Sequence, residues 1–402
     1  MIGLVLTAGG ARGAYQAGVL KRLGEIPAFA DQPSPFPIVA GASAGAINGT
    51  MIAAGSGDFR SATRRLADLW AELRVHDVFR TDLVALGIGA ARWLRDLTLG
   101  GVFGGGGTCA LLDATPLEGL LNRHLHPTGI RGAIRDGHLF AVAIAATSYH
   151  SGRSFIFVEG RPGHPVWVKS RRVVQPVELT VDHVRASAAI PIVFPPVAIR
   201  SAGTEVFFGD GGLRQVTPLS PAIRLGAERV FAIGVRSQTA AARLSHAELG
   251  PVDVDEIRRI PPPPLAQICG VFLNAIFLDH LDTDIDHLKR MNELILSYQG
   301  WDGERGASSL REPMRVVTPL TLGPSEDLAV VAESCAHRMP RILRYVMDGL
   351  GTPDAQSADL MSYLLFDSAY TRMLIDIGYR DASAAIDELE HFLRAEAATV
   401  AA

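Results

Sequence analysis

A pentapeptide of small residues, Gly41-Ala42-Ser43-Ala44-Gly45, constrains this chain more than any other stretch. An apolar run, Phe36-Pro37-Ile38-Val39-Ala40, leads into it, and Ala46-Ile47-Asn48-Gly49 follows. The pattern reads as strand, sharp turn and helix, with Ser43 at the apex. Strand and helix nearly touch at such a turn, so the positions around the serine must be small. A serine held there presents its hydroxyl above the end of a sheet and at the start of a helix. A motif this short also arises by chance, so the pattern on either side has to support it.

The N-terminus repeats the arrangement. Residues 2–7 form a short apolar run that reads as a buried strand. Ala8-Gly9-Gly10-Ala11-Arg12-Gly13 comes next, then a helical stretch from Ala14 to Leu23 that stops at Gly24. Two strand–turn–helix units in close succession predict an α/β class. From Asp58 to His126 the pattern turns helical. Leu66, Leu69, Trp70 and Leu73 share one face, as do Leu83, Leu86, Ala90, Leu94 and Leu97, with Arg92, Arg95 and Asp96 elsewhere, before Gly104–Gly107 breaks the chain. Most apolar helix stripes are core, so a cap helix packed on the body is the expectation, and a lid that meets lipid is the alternative.

Strand character returns over 139–145, 154–158 and 166–168. A helix is predicted over 183–189, ended by Pro191 and Pro195-Pro196. A strand follows over 206–208, closed by Gly209-Asp210-Gly211-Gly212, then a helix from Leu219 to Leu225 and a buried strand over 230–235. The α/β core is expected to end near residue 238. Residues 239–264 are polar and then proline-rich, which reads as a linker. Residues 265–402 read as mainly helical, with Val316-Val317 as one further strand.

Three turns can meet at one edge of a parallel sheet, where strands end and sites form. Ser43 would supply a nucleophile. Gly9, Gly10, Ala11 and Arg12 offer consecutive backbone N–H groups at a helix start, a nest that stabilises negative charge. Asp210, in a glycine turn after a strand, would be the base. An ordinary aspartate, with a pKa of about 3.9, is a poor base for a hydroxyl, so Asp210 is expected in a desolvated place that raises its pKa.

Together these motifs resemble those of the patatin-like phospholipases. Gly9-Gly10-Ala11-Arg12-Gly13, the elbow Gly41–Gly45 and Asp210-Gly211-Gly212 stand in that family's order and approximate spacing. Arg185-Ala186-Ser187-Ala188-Ala189-Ile190-Pro191 and Leu111-Leu112-Asp113-Ala114-Thr115-Pro116-Leu117 resemble further family blocks, and Ser362–Asp367 looks like a segment of bacterial relatives. The match covers about residues 1–240. Ala8 departs from it, standing where many relatives begin the glycine run. The resemblance implies a three-layer patatin-type α/β fold with a mostly parallel central sheet, a helical cap insertion (58–126) and a helical C-terminal extension (265–402) on a hydrolase domain spanning 1–238. It implies a lipid acyl hydrolase with a Ser43–Asp210 dyad and an acyl-enzyme. The oxyanion hole would be made by Gly9, Gly10, Ala11, Arg12 and Ala44. Gly13, Gly41, Gly45, Gly211 and Gly212 complete the motifs. Arg12 is expected to order the oxyanion loop or meet a phosphate head group.

Rival readings need other residues. A Ser-His-Asp carboxylesterase would draw on His246, His280, His337 or His391, none with a motif around it. A nucleotide-binding module lacks the acid expected at the end of its second strand, where Gly41 follows Ala40. A non-catalytic lipid-binding protein also stays open. Asp282-Thr283-Asp284-Ile285-Asp286 invites a calcium loop, but His287 stands where glycine is required, so a solvated helix face is expected. No metal and no cofactor are implied.

The 402 residues are 48% hydrophobic and 20% charged, with net charge −4, which allows an ample core and disfavours nucleic acid as a partner. Cys109, Cys269 and Cys335 lie far apart, which fits a reducing compartment or indifference to redox state. The N-terminus lacks a basic leader and no run approaches ~18 apolar residues. A cytoplasmic protein is therefore expected, and the resemblance implies a lipid or fatty-acyl ester substrate, with peripheral membrane contact, leaderless secretion and oligomeric state left open.

Overall fold

In the computed structural model, the residues described are 1–80, 110–169, 171–201, 203–215, 218–237, 280–299, 315–340 and 358–394, with helical positions 268 and 271. The expected helix with Leu83, Leu86, Ala90, Leu94 and Leu97, the Gly104–Gly107 break, the 239–264 linker, Cys109, Cys269 and His246 lie outside them.

The first half of the chain alternates strands and helices. β1 (Ile2–Leu6), α1 (Gly13–Gly24), β2 (Ile38–Ala42) and α2 (Ala44–Ala54) form the two expected units. α3 (Phe59–Glu72) is capped by Asp58, whose side chain accepts from the Ser61 N–H. α4 (Val75–Val78), α5 (Thr115–His124) and α6 (Thr128–Arg135) follow. Leu66, Leu69, Trp70 and Leu73 are buried, so this described part of the 58–126 region packs on the body.

Next come β3 (Ala141–Ser148), β4 (Ser154–Gly160), β5 (Val168–Lys169), β6 (Arg172–Pro176) and α7 (Val181–Ser187). β7 (Val197–Ser201), β8 (Thr204–Asp210), α8 (Ser220–Arg224) and β9 (Arg229–Ile233) complete this stretch. The third part holds α9 (His280–Gln299), β10 (Thr318–Leu322), α10 (Leu328–Ser334), α11 (Ala358–Leu364), α12 (Ser368–Ala384) and α13 (Ile386–Arg394).

Among the described residues, all the strands join one sheet, ordered β10-β9-β1-β2-β3-β4-β6-β5, with β8 pairing both β3 and β7. From β10 to β3 the pairs are parallel. β1, β2 and β3 are buried along their whole lengths, so helices cover both faces of this mostly parallel sheet. Continuous burial is why these strands read as uninterrupted apolar runs.

Three findings differ from the sequence reading. The sheet does not end near residue 238: β10 adds parallel to β9, with Leu320 opposite Phe231. The strand expected at Val316-Val317 falls two residues later. β6 and β7 were not foreseen, because Pro176 and the Pro195-Pro196 pair beside them read as breaks. Asp282–Asp286 is not a uniformly solvated face. Asp284 is buried with Leu281 and Ile285, accepts the Leu219 N–H at 2.9 Å, and is held above the usual carboxylate range by burial.

The described helices of the last third are packed into the body. α12 lies against α1 so closely that a Cβ on Gly18 would collide with the Ile375 carbonyl, and one on Gly378 with the Tyr15 carbonyl. Cys335 is buried and free, 3.8 Å from the Met373 sulfur. Among the described residues, no helix is long and apolar enough to cross a membrane.

Candidate active site

Ser43 is the residue between β2 and α2. It adopts φ 54°, in the left-handed region, a conformation that costs a non-glycine residue about 1–3 kcal/mol and persists only where the surroundings impose it. Those surroundings are tight. A Cβ on Gly45 would collide with the Leu6 carbonyl, and one on Gly41 with the Gly45 carbonyl. The Ser43 N–H donates to Ser187 Oγ at 3.0 Å, and its carbonyl accepts from Ala46 and Ile47.

Register explains how Asp210 arrives. β2 runs parallel to β3 and ends with Ala42 opposite Ala145. β8 runs antiparallel to β3 and ends with Asp210 opposite Ala146. β4 occupies the other side of β3, so β2 and β8 share one lane and meet end to end. At that junction Ser43 Oγ donates to Asp210 Oδ2 at 2.6 Å.

Asp210 is fully buried, and burial pushes its carboxyl up to about 7, against the opposing pull of hydrogen bonds from Ser43 and the Gly212 N–H. The Gly212 N–H meets Oδ1 at 2.8 Å. The Asp210 backbone is fixed as well: its N–H donates to the Ala189 carbonyl at 2.9 Å, and its carbonyl accepts from Thr147 Oγ1 at 2.8 Å.

The glycine-rich turn lies beside this pair. Gly10–Arg12 form a short 3-10 turn, and Gly10 has φ 55°. The Arg12 N–H donates to the Gly9 carbonyl at 3.1 Å, which removes it from the expected set of anion-binding amides. Among the described residues, none accepts from the N–H groups of Gly9, Gly10, Ala11 or Ala44. The Arg12 side chain turns away from solvent. Its Nε donates to Ser362 Oγ and its Nη2 to Asp359 Oδ1, each at 2.8 Å. A head-group role for Arg12 is thereby replaced by an anchoring one.

Beneath the elbow runs a buried polar network. Asn48 Nδ2 donates to the Gly13 carbonyl at 3.0 Å and to Gln16 Oε1 at 2.9 Å, while its Oδ1 accepts from Trp70 Nε1 at 2.8 Å. Gln16 Nε2 donates to the carbonyls of Thr7 and Ile233 at 3.0 and 3.1 Å. All four amide hydrogens in this pair of side chains are used, so the network ties β1, β9, α1, α2 and α3 together without an orphaned group.

Over Ser43 opens a narrow pocket with a cavity volume of about 40 Å³. Gly10, Ser43 and Ala44 border it. Its walls are Leu69 and Trp70 of α3, Leu73 just after it, Leu117, Leu120 and Leu121 of α5, and Ile190, Phe194 and Phe366. Arg185 links α5 to α7, pairing with Glu118 at 2.9 Å and Asp182 at 2.8 Å. Beside Ile190 and Phe194, exposed Ile192 accepts the Leu111 N–H at 2.9 Å, and Leu111 is exposed too.

Among the described residues, no histidine bonds to Ser43 or Asp210. His337 and His391 are exposed, and the His280 side chain is outside the described set. Buried His183 caps its own helix, accepting the Thr180 N–H on Nδ1 at 3.1 Å, and burial pushes its pKa down to about 4. No cluster able to hold a metal ion is found among the described residues.

Ser187, Thr147, Asn48, Gln16 and the Asp359–Tyr363 stretch were not foreseen as parts of the site. Ser187 lies in a block whose family resemblance was visible, so that segment carried a signal. Ser362 and Tyr363 lie in the Ser362–Asp367 segment, which also carried a resemblance, while Thr147, Asn48, Gln16 and Asp359 are polar residues in apolar or helical surroundings and carried none.

The family description patatin-like phospholipase matches residues 4–223, more than half of the chain and a span holding Ser43, Asp210 and the glycine turn. Two solved structures are similar at low identity. VipD from Legionella pneumophila is 15% identical, with 93% of this chain and 66% of that one covered and a TM-score of 0.31. A chain of the SpcU–ExoU complex from the type III secretion system of Pseudomonas aeruginosa is 19% identical, with 39% and 34% covered and a TM-score of 0.20. The chain therefore spans less than two thirds of either, and these scores carry no argument. No curated protein matches. On the family match over 4–223, this chain is a member of the patatin-like phospholipase family.

Proposed function

We propose that this protein is a lipid acyl hydrolase that cleaves fatty-acyl esters, phospholipids included, through a Ser43–Asp210 dyad. The observation that carries the reading is the 2.6 Å bond from Ser43 Oγ to a buried carboxyl raised to about 7, next to a pocket walled by apolar side chains. Such a carboxylate is basic enough to take a hydroxyl proton near neutral pH.

In this mechanism Asp210 accepts the Ser43 proton as Oγ attacks the ester carbonyl. The amides of Gly10 and Ala44, which border the pocket with Ser43, hold the developing oxyanion, with Gly9 and Ala11 adjacent. Loss of one such donor typically costs about 10²–10³ in rate. Collapse expels the alcohol, which takes the proton from Asp210, and leaves an acyl-enzyme on Ser43. Water, deprotonated by Asp210, then attacks the acyl carbonyl, and the fatty acid leaves as Ser43 Oγ takes the proton back from Asp210. The acyl chain lies between α3 and α5. Exposed Leu111 and Ile192 suit contact with a lipid surface at the pocket's edge.

Covalent labelling with a fluorophosphonate tests the reading. The wild type is expected to label, and Ser43→Ala to lose both labelling and ester hydrolysis. Equal labelling of the two would remove Ser43 from the mechanism. A folded wild type that binds lipid without labelling would make the protein a lipid binder.

A further inference from the structure

The Gly10–Arg12 turn is too short to hold its own amides in place. Its internal bonds are those of a single 3-10 turn, from the Arg12 N–H to the Gly9 carbonyl and from the Gly13 N–H to the Gly10 carbonyl. Oxyanion donors must be held to within about 0.5 Å to be useful. The constraint comes from the far end of the chain. Arg12 is 3% exposed, and its guanidinium meets Ser362 and Asp359 across sequence separations of 350 and 347 residues. The Tyr363 ring lies 4.5 Å from its central carbon. Ser362 Oγ also donates to the Asp359 carbonyl at 2.5 Å, which fixes the acceptor that Arg12 uses.

The same segment touches the turn's backbone. Gly10 packs on the Tyr363 carbonyl so closely that any Cβ would collide with it. Two residues beyond α11, Phe366 lines the Ser43 pocket and meets Phe79 edge-on at 6.3 Å between ring centres. A buried guanidinium demands hydrogen-bonding partners, and among the described residues these come from α11. The 4–223 span that carries the family match does not supply them.

We infer that α11 and the turn after it, residues 358–366, are a working part of the active site. Asp359, Ser362 and Tyr363 act as positioning residues that aim the oxyanion amides through Arg12 and Gly10. The inference rests on the acyl-hydrolase reading. It adds that hydrolytic competence depends on the C-terminal third of the chain.

The test uses full-length Ser362→Ala and Asp359→Ala, with Ser362→Thr as the conservative counterpart, each checked for thermal unfolding. Three quantities are measured. The first is the rate of fluorophosphonate labelling, which builds a tetrahedral anion on Ser43. The second is the affinity for a non-hydrolysable dialkyl ether phospholipid. The third is the pH midpoint of labelling. The expected result is a labelling rate and kcat lowered by about 10- to 100-fold, with ether-lipid affinity and pH midpoint unchanged, and recovery to within about threefold in Ser362→Thr. Labelling within about threefold of wild type in both folded alanine variants overturns the inference. So does a loss of ether-lipid affinity equal to the loss of labelling, which would make the segment a wall only. If Asp359→Ala fails to fold, Arg12→Lys carries the test, because it keeps the charge but cannot serve Ser362 and Asp359 together. Failure of the hydrolase reading has its own signature, equal labelling of wild type and Ser43→Ala, and it takes this inference with it.

Discussion

In the proposed mechanism Asp210 concentrates the chemistry in one group. An aspartate near its ordinary pKa of about 3.9 is too weak a base for a serine hydroxyl. Burial pushes this one to about 7. The acylation rate is therefore expected to rise with pH along a single titration centred near 7, measured as kcat/KM on a soluble ester. A flat profile between pH 5 and 9 would remove Asp210 as the base. The same shift has a stability consequence of definite sign. A carboxyl whose folded pKa is raised favours the fold below its unfolded pKa, and that contribution is lost as pH rises through the folded value. Asp210→Asn removes the charge that burial disfavours. It is expected to abolish nearly all turnover while gaining stability relative to wild type at pH 8 and showing no such gain at pH 4, read by urea denaturation. Ser43, Asp210 and the glycines were legible in the sequence, because a motif needs only local spacing. Thr147, which holds the Asp210 carbonyl, was not, because a lone hydroxyl in a strand announces no partner, and the block around Ser187 was visible without the bond that Ser187 makes to the Ser43 N–H.

Elements set how the site is built and what it admits. The elbow works because β2 and α2 meet at Gly41 and Gly45, where no side chain fits. Gly45→Ala is expected to cost at least ~2 kcal/mol of stability, as overpacking of a tight core does, and to lower labelling with it. Calorimetry beside the labelling assay checks this, and a wild-type melting temperature would contradict it. The α3 and α5 stripes were visible as helical periodicity, yet periodicity cannot say what a buried face packs against. Here α3 does two things: Leu66 is core, while Leu69 and Trp70 wall the pocket, joined by Leu73 just past the helix end. Leu120→Trp fills the space between α3 and α5. It is expected to shift preference towards shorter acyl esters, with kcat/KM for long chains falling about tenfold or more while acetyl esters are spared. A uniform loss across chain lengths would place the acyl group elsewhere.

At the scale of the whole molecule, the sheet is the frame and the last third is part of it. β1, β2, β3 and β9 are covered on both faces, so their amides are expected to be the slowest to exchange with deuterium. Leu4–Leu6, Val39–Ala42 and Phe231–Ile233 should outlast β5 and β7, as checked by exchange mass spectrometry. Faster exchange in β1 than in β7 would contradict this layering. The sequence by itself determined the α/β class, the strand–turn–helix units and which serine, acid and glycine turn the proposed site would use. Each of those follows from local patterns: apolar runs, helical periods and the small residues that a tight turn requires. Only the tertiary structure decided that β2 and β8 share one side of β3 and end opposite Ala145 and Ala146, which brings Ser43 to Asp210. Only it decided that Arg12 is anchored by Asp359 and Ser362, and that β10 extends the sheet. The physical reason is that strand register and the partner of a buried charge are chosen by what the folded chain places next to them. Residues hundreds of positions apart carry no mark of that choice in their own neighbourhoods.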